Sequence, residues 1–296
     1  MIVLENIKPN SVVIVAGPTA SGKSALALEL AQKYNGEIIN ADSMQVYAGT
    51  PIISAAPSAQ EKELIPHHLY EIYPPSQNGT VVDWLNLATQ KIREVWGRGK
   101  LPVVVGGTGM YIDNLINGTT PIPEPQPEIR RQVAAMENVY QWLQSHDAAA
   151  AAMLNPADST RVRRAAEIFL QTGESIAEWY QRPMVKYLPE AQFRTVKIIP
   201  PAEELDNRCY QRFDKMMEAG ALDEVRSLLA LGLAPNLPAM KMLGVPELAA
   251  YLRGETTLAE AVALAKLHTR QYAKRQRTWF RNKLATEIEI PQCFDK

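Results

Sequence analysis

Gly17, Gly22, Lys23 and Ser24 stand in AGPTASGKS (16 to 24) at the spacing GxxxxGK[ST]. Glycines so placed let backbone N–H groups turn inward around phosphate oxygens. The N-terminus of a following helix adds its dipole, Lys23 a point charge, and the Ser24 hydroxyl a ligand for Mg²⁺. With Pro18, Thr19, Ala20 and Ser21 between them, these residues form a loop that recognises a diphosphate, because none of its donors touches a base or a sugar. Nucleotide identity has to be read elsewhere. No NKxD-like guanine reader occurs, and the run LPVVV (101 to 105) leads into GGTG rather than into a Walker B aspartate, so ATP is not established.

Two further stretches bear on this chemistry. EIINADSMQVY (37 to 47) places Asp42 just past a short apolar run, at the sheet edge where α/β proteins bind ligands. There it can face a phosphate held by Lys23 and act as base or orienter, or it can serve as a turn or helix-cap aspartate. GGTGMY (106 to 111) follows the next apolar run and brings its glycines and Thr108 to the same edge. Thr108 can hydrogen-bond a ligand or cap a helix starting near Met110.

Groups so spaced need a parallel sheet to bring them together. Apolar runs suited to buried strands recur at 11 to 15, 37 to 40, 101 to 107 and 195 to 199, with helical periods at 22 to 34 and 83 to 97. The alternation predicts an α/β fold, a P-loop NTPase-like parallel sheet flanked by helices. GTTPIPEPQPEIRR (118 to 131) has prolines at 121, 123, 125 and 127 and reads as a stiff linker. Residues 128 to 190 show no convincing strand and predict an all-helical insertion, the Ala148 to Ala152 run being helix. The expected organisation is a core of 1–120 and 191–296 and an insertion of 121–190. Beyond residue 202 helices are expected, with breaks at Gly220, Gly232 to Pro238 and Gly254.

Composition excludes several classes. With 296 residues, 46% hydrophobic, 21% charged and a net charge of −1, the chain has an ordinary globular core and no global field that would drive it onto a polyanion. Contact with nucleic acid must come from local patches. No run approaches the roughly 18 apolar residues of a membrane span, and MIVLENIKPN lacks the basic start and long apolar segment of a secretory signal, so none is expected there. Cys209 and Cys293, the two cysteines, lie in no paired spacing. A cytoplasmic protein without a membrane contact is expected. His67 and His68 are adjacent and point apart, and His146 and His268 stand alone, so no zinc site is expected.

GPTASGKS, ADSMQVY and VVVGGTGMY, in that order and spacing, together resemble the tRNA dimethylallyltransferases, which prenylate an adenosine beside the anticodon. PHHLY (66 to 70), DSTRVRRAAEI (158 to 168), LPAMKMLGVPEL (237 to 248) and TRQYAKRQRTWFR (269 to 281) resemble later blocks of that family, so the likeness spans nearly the whole chain. The resemblance implies a dimethylallyl diphosphate donor on Gly17 to Ser24, Mg²⁺ on Ser24, and a tRNA anticodon stem-loop as acceptor partner, in a protein expected to be a monomer. By position Asp42 matches the base and Thr108 a hydroxyl that contacts adenine or donor. Asp42, Ser43, Met44 and Gln45 match a tRNA-contacting segment, as do Thr160, Arg161, Val162, Arg163 and Arg164, with Arg130 assigned the same task. Lys241, Met242, Leu243, Gly244, Val245 and Pro246 match another such segment, and Ala273, Lys274, Arg275, Gln276, Arg277, Thr278, Trp279 and Phe280 a further one. Arg208 and Arg212 resemble arginines near the diphosphate. Where many members carry GxDIGTAKP, this chain reads GTPIISAAP (49 to 57), with Ser54 for a threonine and Ala56 for a basic residue; no contact is assigned to residue 56.

Two charge patterns bear on RNA apart from the resemblance. Between Ala261 and Lys283 stand Lys266, Arg270, Lys274, Arg275, Arg277, Arg281 and Lys283 and no acid. Arg270, Lys274, Arg277 and Arg281 fall at i, i+4, i+7 and i+11, a helical face that can track a phosphate backbone or be a solvated face. Tyr272, Trp279 and Phe280 can stack on bases, though at least two of them are expected in the core. Arg130, Arg131, Arg161, Arg163 and Arg164 give the insertion a second cluster, expected to clamp the other side of an anticodon stem. Three rivals predict different products. A small-molecule or nucleoside kinase would form ADP from ATP, a prenyltransferase of free AMP would leave the basic patches without purpose, and an RNA-binding switch would bind tRNA without product.

Overall fold

Six parallel strands, in the order β3-β2-β4-β1-β5-β6, set the geometry of the protein in a computed structural model that describes residues 3–294. In chain order the first half contains β1 (Ser11–Ala16), α1 (Lys23–Lys33), β2 (Gly36–Asn40), α2 (Pro51–Ser54), α3 (Ala59–Leu64), β3 (His67–His68), α4 (Val81–Gly97), β4 (Leu101–Gly106) and α5 (Gly109–Asn117). The chain then runs through α6 (Pro127–Ala134), α7 (Val139–His146), α8 (Ala148–Met153), α9 (Ser159–Thr172) and α10 (Ile176–Trp179) before β5 (Gln192–Ile198). It ends with α11 (Ala202–Glu218), α12 (Ala221–Ala230), a 3₁₀ turn Pro238–Lys241, α13 (Val245–Leu252), α14 (Leu258–Lys283) and β6 (Ile288–Ile290). The parallel sheet flanked by helices is the one expected.

β1, β2 and β4 are buried at every residue, because a parallel strand with helices on both faces has no polar side. Val12, Ile14, Ile39 and Val104 pack with Trp84 and Leu85 of α4 and with Phe280 of α14. Val13, Val15, Ile38, Val103 and Val105 face Leu26 and Leu30 of α1. The pairings Ala16↔Gly106 and Asn40↔Val105 bring the C-terminal ends of β1, β4 and β2 level, so the phosphate loop, the Asp42 loop and the Thr108 loop leave one edge side by side. Gly106 is needed at this convergence, because a Cβ there would collide with the backbone of Ala41.

The chain divides into Met1–Ile116 with Tyr187–Lys296 and a second unit Asn117–Lys186, each boundary about four residues before the expected 120 and 190. The second unit is helical around Val133, Leu143, Ala150, Val162 and Ala166. Its proline segment is irregular only to residue 126. Pro127 takes the first turn of α6, where its missing N–H costs nothing, so Arg130 and Arg131 lie in a helix rather than a linker. β3 and β6 are additions to the expected strands. They have two and three residues and extend the sheet at its two edges, on β2 and β5.

Candidate active site

The phosphate loop runs from β1 into α1, and Gly22 opens the helix at φ 87°. That conformation suits glycine alone, and the carbonyl of Phe294 lies where a Cβ would sit. The chain near residue 294 thus packs on the loop, Phe294 N–H donating to Ser21 O at 2.9 Å, an approach with no signal in the sequence. The Ser21 hydroxyl is buried with no hydrogen-bond partner among the described residues. Lys23 is buried, and that burial pulls its ammonium down to about 8, with Asp42 opposing the shift and Arg212 adding to it. Ser24 is exposed beside it, facing the same cavity.

Asp42 is both a turn residue and a cavity residue. Its Oδ1 accepts from Met44 N–H at 3.0 Å, and its backbone is held on both sides by the buried Asn40 side chain, at 2.8 and 3.0 Å. Thr108 does not use its hydroxyl as a helix cap. The Oγ1 accepts from Ser43 N–H at 2.9 Å and donates to Ser43 Oγ at 3.2 Å, joining the loop after β4 to the loop after β2. α5 begins at Gly109, one residue before the expected start.

Arg212 belongs to three cavities at once. One of about 400 Å³ is basic and lined by Gly22, Lys23, Ser24, Arg208, Arg212 and Lys215. A second of about 310 Å³ has Met44, Ile53, Phe213, Met216, Met242 and Leu243 as its apolar wall, with Thr19, Asp42, Arg212 and Lys241 as polar points. The third, of about 210 Å³, includes Ser24, Gln45, Ala56, His67, Tyr70 and Arg212. Burial lowers Arg212 from its ordinary value while Asp42 opposes that shift. Arg208 donates to Ala20 O at 3.0 Å and so bears on the loop itself. Lys215 was missed by sequence reasoning, although Arg208, Arg212 and Lys215 recur at i, i+4 and i+7 on α11 and that spacing would have found it. Cys209 lines the second cavity with a thiol that burial pushes up to about 11, well away from nucleophile chemistry.

The C-terminal helix corrects the expected cationic face. Arg270 binds Asp206 at 2.7 Å, Lys266 binds Asp214 at 2.6 Å, and Arg277 donates to Pro200 O at 2.6 Å. Of the four residues of the expected face, Arg270 and Arg277 are thus engaged beside α11, whereas Lys274 and Arg281 remain exposed. The exposed stripe is offset: Lys274, Arg275, Thr278, Asn282 and Lys283, with Trp279, line an open groove of about 430 Å³. Of the residues matched to tRNA contacts, Ala273 and Phe280 are fully buried and Gln276 nearly so, although Gln276 and Phe280 border a cavity of about 280 Å³ beside Thr108 and Trp279. Tyr272 lines the second cavity with its hydroxyl pushed up to about 12 by burial and by the charge of Asp42. Met242, Gly244 and Val245 are likewise buried, leaving Lys241, Leu243 and Pro246 accessible in that segment.

Within the helical unit, Thr160, Arg161 and Arg163 are exposed on α9, whereas Val162 is 3% exposed and belongs to the unit's core. An arginine-rich helix still buries every third or fourth residue. Arg130 pairs with Glu124 at 2.8 Å, Arg131 with Glu128 at 2.6 Å, and Arg161 with Asp158. Arg164 donates to Pro123 O at 3.1 Å. The arginine cluster is therefore partly neutralised by its own acids.

Among the described residues no group of three His, Cys, Asp or Glu could hold a metal ion, and no helix is long and apolar enough to cross a membrane. Comparison with known proteins matches residues 45–283 to the family described as IPP transferase and residues 10–70 to isopentenyl transferase. The tRNA dimethylallyltransferase of Zymomonas mobilis is 44% identical over 95% of this chain and 91% of that one. That of a Bradyrhizobium species is 46% identical over 93% and 92%. Among solved structures, the tRNA isopentenylpyrophosphate transferase of Bacillus halodurans superposes with a TM-score of 0.70 at 34% identity, over 97% of this chain and 91% of that one. A eukaryotic dimethylallyltransferase acting on tRNA gives 0.81 at 31% identity, over 92% and 70%. With its phosphate loop, Asp42 and Thr108 converging on one sheet edge, and with likeness of this extent, the chain belongs to the IPP transferase family, among the tRNA dimethylallyltransferases.

Proposed function

We propose that this protein transfers the dimethylallyl group of dimethylallyl diphosphate to N6 of the adenosine adjacent to the anticodon in tRNA, releasing diphosphate. The observation that carries the reading is the junction at Arg212, where a basic cavity at the phosphate loop meets a largely apolar one that contains Asp42. A diphosphate fits the first and a base with a C5 chain the second. A nucleoside triphosphate would need a base reader beside the loop, and the loop offers none.

An exocyclic amine is a poor nucleophile because its lone pair is delocalised into the purine, whereas an allylic carbon ionises readily once its leaving group is stabilised. Most of the help therefore goes to the diphosphate. Lys23, Arg208, Arg212, Lys215 and the inward N–H groups supply it, each well-placed donor contributing on the order of 3 kcal/mol. The Ser24 hydroxyl, with the donor's own oxygens, suits Mg²⁺, a hard cation that keeps waters and phosphate ligands and needs no protein cage. When bound, this ion neutralises charge on the departing diphosphate. Neutral adenine N6 is too weak an acid to lose its proton first, but as the C–N bond forms the nitrogen becomes positive, and the Asp42 carboxylate accepts the proton then.

For tRNA, the groove of Lys274, Arg275 and Lys283 takes backbone phosphates, and exposed Arg163 and Thr160 in the helical unit add a second contact. The target adenine leaves its stack to reach the cavity, at a cost of about a few kcal/mol. The protein acts as a cytoplasmic monomer. The test is mass spectrometry of an unmodified anticodon stem-loop after incubation with the protein, Mg²⁺ and dimethylallyl diphosphate. One prenyl unit added to the adenine beside the anticodon is the expected product; donor-independent ADP formation from ATP would overturn the reading.

A further inference from the structure

Gln276 is a buried amide on a helix whose neighbouring turns face solvent. Its Oε1 accepts from the backbone N–H of Thr19 in the phosphate loop at 2.8 Å. Its Nε2 donates to the carbonyl of Gly107, the residue before Thr108, at 2.7 Å. The approach is tight enough that a Cβ at Gly107 would stand 2.5 Å from Nε2 and 3.5 Å from Asp42 Oδ2. Thr19 and Asp42 both line the apolar cavity. Next to Gln276 on α14, Lys274 and Arg275 are exposed and line the open groove.

We infer that Gln276 is a positioning residue that ties the phosphate loop and the Gly107–Thr108 loop to the cationic helix, and is not itself a contact to tRNA. The inference rests on the functional reading above and deepens it. Both of these bonds are to backbone groups, and the amide also hydrogen-bonds the Tyr272 hydroxyl, so removing it leaves a half-buried N–H and a buried C=O without a partner, the costly side of hydrogen bonding. Leucine removes both bonds. Glutamate keeps the volume and the acceptor for Thr19 but sets a carboxylate oxygen against the Gly107 carbonyl, so it breaks one and repels. Either change frees the donor loop from the acceptor loop without touching Lys274 or Arg275.

The experiment compares the parent with Gln276→Leu and Gln276→Glu in three ways: anisotropy binding of an anticodon stem-loop, calorimetric binding of inorganic pyrophosphate with Mg²⁺, and kcat and donor KM for prenyl transfer. In both variants stem-loop Kd and its salt slope should stay within about twofold of the parent, while pyrophosphate binds about tenfold more weakly and kcat/KM for the donor falls about tenfold to a hundredfold. A stem-loop Kd that weakens while pyrophosphate binding is unchanged would make Gln276 a tRNA contact and overturn the inference. Unchanged values throughout, or failure of both variants to fold, would overturn it as well. A parent that binds pyrophosphate but makes no prenylated RNA would sink the functional reading alone, and the pyrophosphate comparison would still decide the role of Gln276.

Discussion

Replacing Asp42 by asparagine separates its charge from its place in the fold. The Oδ1 that accepts from Met44 N–H at 3.0 Å survives as an amide oxygen, and the backbone of residue 42 is fixed by the Asn40 side chain rather than by its own carboxylate. Folding stability should therefore stay within about 1 kcal/mol of the parent. The change removes a proton acceptor, a role typically worth about 10² to 10⁴ in rate, or about 3–5 kcal/mol at 1.36 kcal/mol per tenfold. Donor affinity should move far less, because two effects oppose. Asp42 helps keep Lys23 and Arg212 charged, which its removal weakens, but removal also relieves repulsion between a carboxylate and the diphosphate. Asp42→Ala is the companion variant, since it also forfeits the Met44 bond, at about 1 kcal/mol of stability. Single-turnover prenylation of a stem-loop at saturating donor reads the step directly. An asparagine variant within about threefold of the parent there, or one impaired only in donor KM, would refute the role of Asp42.

Other consequences follow from charge and burial. In the free protein Lys23 titrates at about 8 because it is buried; an anion at the loop raises it, so the bound form holds more protons. Once the protons that pyrophosphate itself exchanges are subtracted, its affinity should fall with rising pH above that value, by up to about tenfold per unit, with proton uptake visible when calorimetry is repeated in buffers of different ionisation enthalpy; no uptake by the protein would contradict the assignment. Lys274→Gln with Arg275→Gln should weaken stem-loop binding and reduce the salt slope by about 1 for each phosphate no longer neutralised. Lys266→Gln with Arg270→Gln should change neither, because those cations are engaged by Asp214 and Asp206; the reverse ranking would contradict the assignment of the groove to RNA. Glu37 pairs with His68, Arg98 and Lys100 at 2.6, 2.6 and 3.0 Å. Burial opposes its ionisation, but the three hydrogen bonds outweigh it and hold the carboxyl at about 2, below the ordinary 4.5. Its contribution is present above 4.5 and disappears as pH falls to about 2. Glu37→Gln should lower stability at neutral pH by about 2–3 kcal/mol, less than for a fully buried pair because its partners are partly exposed. Acid titration by circular dichroism should then show a smaller loss in that window than the parent shows.

The sheet was legible because β1, β2 and β4 are short apolar runs, two of them rich in valine and isoleucine, that only a doubly covered parallel sheet can bury. The glycine pattern then placed the phosphate loop. β3 and β6 had no such mark: two or three residues cannot display a period, and their pairing is imposed by the sheet edges. The spacing of Arg270, Lys274, Arg277 and Arg281 located a cationic helix but only half of its exposed face: Lys274 and Arg281 are exposed, whereas nothing local to α14 reveals that Asp206 and Pro200 O wait on the other segment for Arg270 and Arg277. Val162, Ala273 and Phe280 failed as surface residues because a motif is contiguous in sequence whereas a helix alternates its faces. Gln276 is the hardest case: a polar residue among basic ones reads as surface until its two backbone partners, from loops more than a hundred and sixty positions away, are seen.

Phosphorus NMR of one reaction containing stem-loop, Mg²⁺, ATP and dimethylallyl diphosphate asks most directly which phosphate leaves the loop of Gly17 to Ser24. Free diphosphate should appear in step with prenylated adenine while the ATP signals stay constant. Consumption of ATP to ADP, with the prenyl donor intact, would contradict the account.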